Sequence, residues 1–129
     1  MSEPAVQIET PAAGEYLAVL RAAATGLAAG LDFTYEQIDD LRIAVDEACA
    51  QLISHRAGAA VLRVSYAVET AALRIEVTVD GAGSGGRPPE PLPRDTFSWQ
   101  ILRAVTDEVD ERIDGGELLV AFRKRGGAL

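Results

Sequence analysis

Glu47, Gln51 and Ser54 follow one another at intervals of about one helical turn, so on a helix their side chains point the same way. A carboxylate and a carboxamide in register are hard oxygen donors of the kind magnesium takes. Together they can hold a metal–nucleotide complex or activate a hydroxyl. The same spacing also describes a solvated helix face, and on these residues alone both readings stand. A second chemical stretch is Asp80-Gly81-Ala82-Gly83-Ser84-Gly85, which closes an alternating apolar run. Its glycines can let backbone N–H groups approach phosphates and its Asp80 carboxylate can accept from an adenine amino group, although such a run is also an ordinary connector. Arg21 is the one basic residue of an alanine-rich stretch, either a solvated charge or an anchor for a partner. Cys49 reads as packing inside an apolar helix, and His55, the lone histidine, as a helix-end hydrogen-bonder. Neither a Cys/His metal spacing nor a Ser–His–Asp arrangement is present.

The elements that must position these groups are well punctuated. Thr34 with Gln37 forms a capping-box signature, acidic Glu36, Asp39 and Asp40 follow, and Ile38, Leu41, Val45, Ala48 and Leu52 recur at helical spacing, which predicts a helix over 34–55 with one face on a core. Ahead of it, 5–9 alternates as a strand ended by Pro11 and Gly14, and 15–31 reads as a helix closed near Gly30. Behind it, 61–69 and 72–80 alternate as a hairpin whose inward residues are Leu62, Val64, Tyr66 and Val68, then Leu73, Ile75, Val77 and Val79. The Gly/Pro-rich loop 80–94 leads to a short helix over 96–105. Phe97, Ile101, Leu102 and Val105 point inward there, Trp99 packs partly under the loop, and Thr96 or Ser98 caps. Two last strands, 107–113 and 117–124, are joined by Asp114-Gly115-Gly116, and the tail from Arg123 to Gly127 frays in solvent. Two helices over an amphipathic hairpin predict an α/β two-layer sandwich, with a mixed, mostly antiparallel sheet covered on one face by helices.

Composition narrows the function classes. The chain of 129 residues fits a single domain over 1–129. A net charge of −8 repels a phosphate backbone and favours basic partner surfaces, which excludes a direct nucleic-acid role. One cysteine rules out an internal disulfide and suits a reducing cytoplasm, and MSEPAVQIET carries neither a signal-peptide pattern nor a membrane span.

The segment IAVDEACAQLISH resembles the N-box helix of the histidine-kinase-like ATPases, specifically the small anti-sigma-factor serine kinases of the RsbW type. Glu47, Ala48, Leu52, Ile53 and His55 fit that pattern, and Gln51 stands where the family has Asn. Asp80, Gly83 and Gly85 fall near the family's first glycine box, Asp-x-Gly-x-Gly, with the glycines one place out of step. The second glycine box is replaced by Asp95-Thr96-Phe97-Ser98, and Thr106-Asp107-Glu108-Val109-Asp110 matches an Asp-Glu-Val stretch. The resemblance implies Glu47 as general base, Gln51 as magnesium ligand, Asp80 as adenine reader with Gly83 and Gly85 at the nucleotide, and Arg21 on the partner-binding helix. It implies an anti-sigma factor that sequesters an alternative sigma factor, is counteracted by an anti-anti-sigma factor of the STAS type, and works as a homodimer. The misplaced glycines predict ATP or ADP with Mg2+ held weakly, and phosphoryl transfer that is weak or absent.

Overall fold

The computed structural model describes residues 5–56, 58, 61–80 and 90–127. In chain order they form β1 (Val6–Pro11), a 3-10 turn (Gly14–Tyr16), α1 (Leu17–Ala29), α2 (Tyr35–His55), β2 (Val61–Glu69), β3 (Ala72–Val79), α3 (Phe97–Val105), β4 (Glu108–Asp114) and β5 (Glu117–Arg125). The five strands lie in the order β1-β2-β3-β5-β4. Every pairing is antiparallel, so the expected mixed character is absent from the described sheet.

Helix α2 lies at the centre of the covering layer because its apolar residues share one face. Leu41, Ala44, Val45, Ala48, Cys49 and Leu52 are all fully buried, and they meet the inner faces of β3 and β5, where Leu73, Ile75, Val77, Val79, Leu118, Val120 and Phe122 alternate inward. Each large side chain so buried contributes about 1.5–3 kcal/mol. Helix α1 packs on one flank of α2 and α3 on the other. Tyr66 of β2 donates its phenolic O–H to the Leu20 carbonyl of α1 at 2.9 Å, and burial pushes its pKa well above the ordinary phenol value.

The opposite face of the sheet carries a lattice of ions instead of helices. Arg63 bridges Glu9 at 2.8 Å and Glu117 at 2.9 Å, Arg123 pairs with Glu69 at 2.7 Å, and Arg112 approaches Glu76 at 3.7 Å. Such half-exposed pairs contribute little each, about 0–1 kcal/mol. The small outward residues Ala67, Ala72 and Ala121 on this face are nevertheless buried.

Several local expectations change. Phe97 does not point inward: it is 76% exposed, while Trp99 and Leu102 are the buried residues of α3. With Thr96 as N-cap, Phe97 becomes the first helical residue, and two positions before Trp99 it lies on the far side of the helix. Val68 is also half out, at 40% exposure. Strand β1 runs through Pro11, which an edge strand tolerates because the missing N–H faces outward. Helix α1 does end at Gly30, but in right-handed geometry, and Asp32 at φ 59° makes the left-handed turn.

The tail through Gly127 does not fray. Arg123, Lys124 and Arg125 are the end of β5, Lys124 reaches Asp40 at 3.1 Å, and Gln37 of the capping box holds Gly127. The Gln37 carboxamide oxygen accepts both the Thr34 N–H at 2.8 Å and the Gly127 N–H at 3.1 Å, while its NH2 donates to the Gly127 carbonyl at 3.1 Å. Phe33 lies so close to Gly126 that a Cβ there would sit 1.9 Å from its ring. Gly115 and Gly116, at φ 57° and 81°, supply the two left-handed residues that a tight β4–β5 hairpin turn requires.

Two predictions follow from this packing. Gln37→Ala removes the capping box and the tail clamp together and lowers unfolding stability by about 1–2 kcal/mol in urea titration, with loss of exchange protection at the Gly127 amide. Burial first, and the Asp46 charge second, push the Cys49 thiol from its ordinary 9.0 up to about 12. The neutral thiol's contribution is complete below pH 9. As pH rises from there towards 12 the unfolded chain alone releases this proton, so stability falls, by up to about 1.4 kcal/mol per pH unit from this group. Urea midpoints measured across that window should fall less steeply in Cys49→Ala.

Candidate functional site

Adjacent residues of α2 point to opposite flanks. Asp46 turns towards α1, where its Oδ1 meets Arg21 Nη1 at 2.7 Å. Glu47 turns towards α3, where its Oε2 accepts the Ser98 hydroxyl. The one-residue step of about 100° around α2 thus gives each flanking helix its own carboxylate.

The position of Ser98 follows from how α3 is built. Thr96 Oγ1 accepts the Trp99 N–H at 3.2 Å, which starts the helix, and the buried Trp99 and Leu102 fix its rotation against the core. Arg94 lies over the Trp99 ring, 5.3 Å from its centroid, and pairs with Glu111 at 3.2 Å, tying the helix entrance to edge strand β4. Because Thr96 takes the capping role, the Ser98 hydroxyl is left to engage Glu47.

Gln51, one turn beyond Glu47, has its side-chain nitrogen buried with no hydrogen-bond partner among the described residues. It lines a cleft of about 220 Å³ with Ser54 and His55 on the α2 side and Leu92, Pro93, Thr96 and Ser98 on the α3 side. That volume is below the roughly 300–1,000 Å³ typical of pockets that enclose a drug-sized ligand, so this space matches a phosphate-sized group better than a whole nucleotide. His55 closes one end, its Nε2 2.9 Å from the Glu90 carbonyl.

Asp80 lies just past the end of β3, where its N–H donates to the Val61 carbonyl at 3.2 Å and its Oδ1 receives the Val61 N–H at 3.4 Å. It thereby fastens the open end of the β2–β3 hairpin. Gly83 and Gly85 lie outside the described residues. Arg21 belongs to a separate depression of about 420 Å³ lined also by Asp39, Arg42, Ile43 and Asp46. The grouping of Glu47, Gln51 and Ser54 on one side of α2 is therefore realised, with Gln51 and Ser54 both at the cleft and Glu47 at its Ser98 border. Ser98 and Asp46 were not legible as partners: the first is 51 positions from Glu47 and the second 25 from Arg21, and each pair is joined only by packing.

The orphaned Gln51 nitrogen is a donor in search of an acceptor, which fits a phosphoryl oxygen. For magnesium the available oxygen donors are Glu47 and the Gln51 carboxamide, and no cluster of three or more His, Cys, Asp or Glu capable of holding a metal occurs among the described residues. The donor set fits a cation that arrives with a phosphate ligand and completes its shell with phosphate and water oxygens.

The profile of the histidine kinase-like ATPase domain family matches residues 10–124. The serine-protein kinase RsbW of Bacillus thuringiensis is 24% identical over 126 residues, covering 86% of this chain and 79% of the relative. The RsbW of Bacillus anthracis gives the same identity and coverage. A crystal structure of RsbU and RsbW domains from Mycobacterium tuberculosis superposes with a TM-score of 0.65 at 14% identity, covering 98% of this chain and 34% of that one. This chain thus spans about a third of that larger protein. A family profile spanning both the α2 carboxylate and the α3 segment that engages it establishes that the chain belongs to the histidine kinase-like ATPase domain family, and within that family the chain is similar to the RsbW serine-protein kinases.

Proposed function

We propose that this chain is an anti-sigma factor of the RsbW type, acting in the cytoplasm, with a reduced nucleotide site. It sequesters an alternative sigma factor and is counteracted by an anti-anti-sigma factor of the STAS type competing for the same surface. The observation that carries the reduced site is the Ser98–Glu47 hydrogen bond: the carboxylate that would deprotonate a partner's serine is already engaged by a hydroxyl of the same chain. An outside serine reaches Glu47 only if α3 shifts.

Binding supports the rest of this reading. A net charge of −8 complements the basic, DNA-contacting surface of a sigma factor. The α1–α2 flank combines charge with accessible apolar area, since Arg21, Arg42, Asp39 and Asp46 line one depression with Ile43, which is 42% exposed. Arg21 is already oriented by Asp46, so little side-chain freedom is lost on docking. The working unit is a homodimer in this reading. In this reading Gln51 would hold a phosphate and the magnesium of Mg-ATP or Mg-ADP, Asp80 would accept from the adenine amino group, and Gly83 and Gly85 would admit the phosphates. Bound magnesium would supply charge neutralisation on the phosphates, leaving Glu47 as the proton acceptor.

The Bacillus relatives are serine-protein kinases, which favours a second reading, a serine-protein kinase active on a partner protein. Transfer of labelled γ-phosphate to an added anti-anti-sigma factor at multiple-turnover rates, abolished by Glu47→Ala, would establish it.

Arg21→Glu should leave the circular-dichroism melt within a few degrees of wild type and abolish capture of the sigma factor in pull-down; unaltered capture rejects the α1–α2 surface. Mg-ATP at ten times its Kd stabilises the native state by about 1.4 kcal/mol, a rise of several degrees in Tm. An unchanged Tm at millimolar Mg-ATP rejects the nucleotide site and leaves a plain interaction module.

A further inference from the structure

The contact between Ser98 and Glu47 has the geometry of a general base with its substrate. The Ser98 O–H points at a carboxylate oxygen, and the hydroxyl borders a cleft in which, among the described residues, the Gln51 side-chain nitrogen is an unpartnered donor suited to a phosphoryl oxygen. Ser98 also lies in the first turn of α3, a nine-residue helix, so a phosphate placed on it meets the positive end of the helix dipole.

We propose that Ser98 is a phosphoacceptor of this same site, and that the chain transfers the terminal phosphoryl group of a nucleoside triphosphate to its own Ser98. This inference rests on the nucleotide-site reading above. The Ser98 Oγ forms a bond to the terminal phosphorus, its proton passes to Glu47 Oε2, the bond from that phosphorus to the bridging oxygen breaks, and the nucleoside diphosphate leaves. Glu47 then returns the proton to water. The acceptor belongs to the same chain as its base and is held beside it by the Thr96 cap and the buried Trp99, so its effective concentration exceeds that of any diffusing serine.

A phosphorylated Ser98 cannot keep its bond to Glu47. Two like charges would meet where a hydrogen bond was, and the N-terminal turn of α3 must turn away from α2. Trp99, the one tryptophan and only 3% exposed, is the next residue and reports that movement. The modification therefore uncovers Glu47 and ends as a single event per chain.

The full-length chain is incubated with Mg2+ and [γ-32P]ATP, the label is located by phosphopeptide mass spectrometry, and binding is followed separately with a fluorescent ATP analogue. The expected result is one phosphate on Ser98, formed at a rate independent of protein concentration, with Trp99 emission shifting to the red as it forms. Ser98→Ala should take no label, Ser98→Thr should retain it, and Glu47→Gln should slow it by about 10²–10⁴-fold. Nucleotide binding without phosphate on Ser98, label at another residue, or a rate proportional to protein concentration overturns the proposal while leaving the nucleotide site standing. Absence of nucleotide binding overturns both.

Discussion

The burial of one face of α2 against β3 and β5 is the constraint from which the rest of the molecule takes its arrangement. Six fully buried side chains fix the rotation of that helix. Once it is fixed, Asp46 and Glu47 have no choice of direction, and each becomes the anchor for a different neighbour: Arg21 on α1 and Ser98 on α3. A slip of one residue along α2 would turn a carboxylate into the core, at a desolvation cost no partner here could offset. Stability and site geometry therefore share one cause.

The same economy appears at the start of α2. Gln37 completes the capping box and also binds Gly127, so the last turn of the chain is attached to the first turn of the central helix. Lys124 with Asp40 adds a second tie on the same side. These contacts hold β5, the strand between β3 and edge strand β4, in register with the helix that carries Glu47.

Much of this was legible in the residues. The capping box, the apolar stripe of α2, both hairpins and the Gly115-Gly116 turn are local signals, where spacing and turn chemistry decide the outcome. Spacing of about one helical turn placed Glu47, Gln51 and Ser54 on one side of a helix, and all three lie on the α3 flank of α2. What was not legible depends on contacts distant in sequence. Phe97 and Trp99 are both apolar candidates for the α3 core, and only the choice of Thr96 over Ser98 as N-cap sets which one is buried. That same choice frees Ser98 for Glu47. The tail looked like fraying charge because its partners Glu69, Asp40 and Gln37 are far away along the chain. Arg21 stood out by its isolation, but nothing in its surroundings in sequence named Asp46.

The Gln51 carboxamide of α2 lines the cleft on one side, and the capped start of α3, with Ser98 engaging Glu47, lines it on the other. In the function proposed above, α2 and α3 enclose a phosphate-binding cleft. Mapping backbone amide chemical shifts during titration of the isotope-labelled chain with Mg-ATP tests it most directly. The account predicts saturable shifts concentrated at Gln51, Ser54, Thr96, Ser98 and Asp80. Shifts absent at millimolar nucleotide, or confined to the ion lattice on the far face of the sheet, would contradict it.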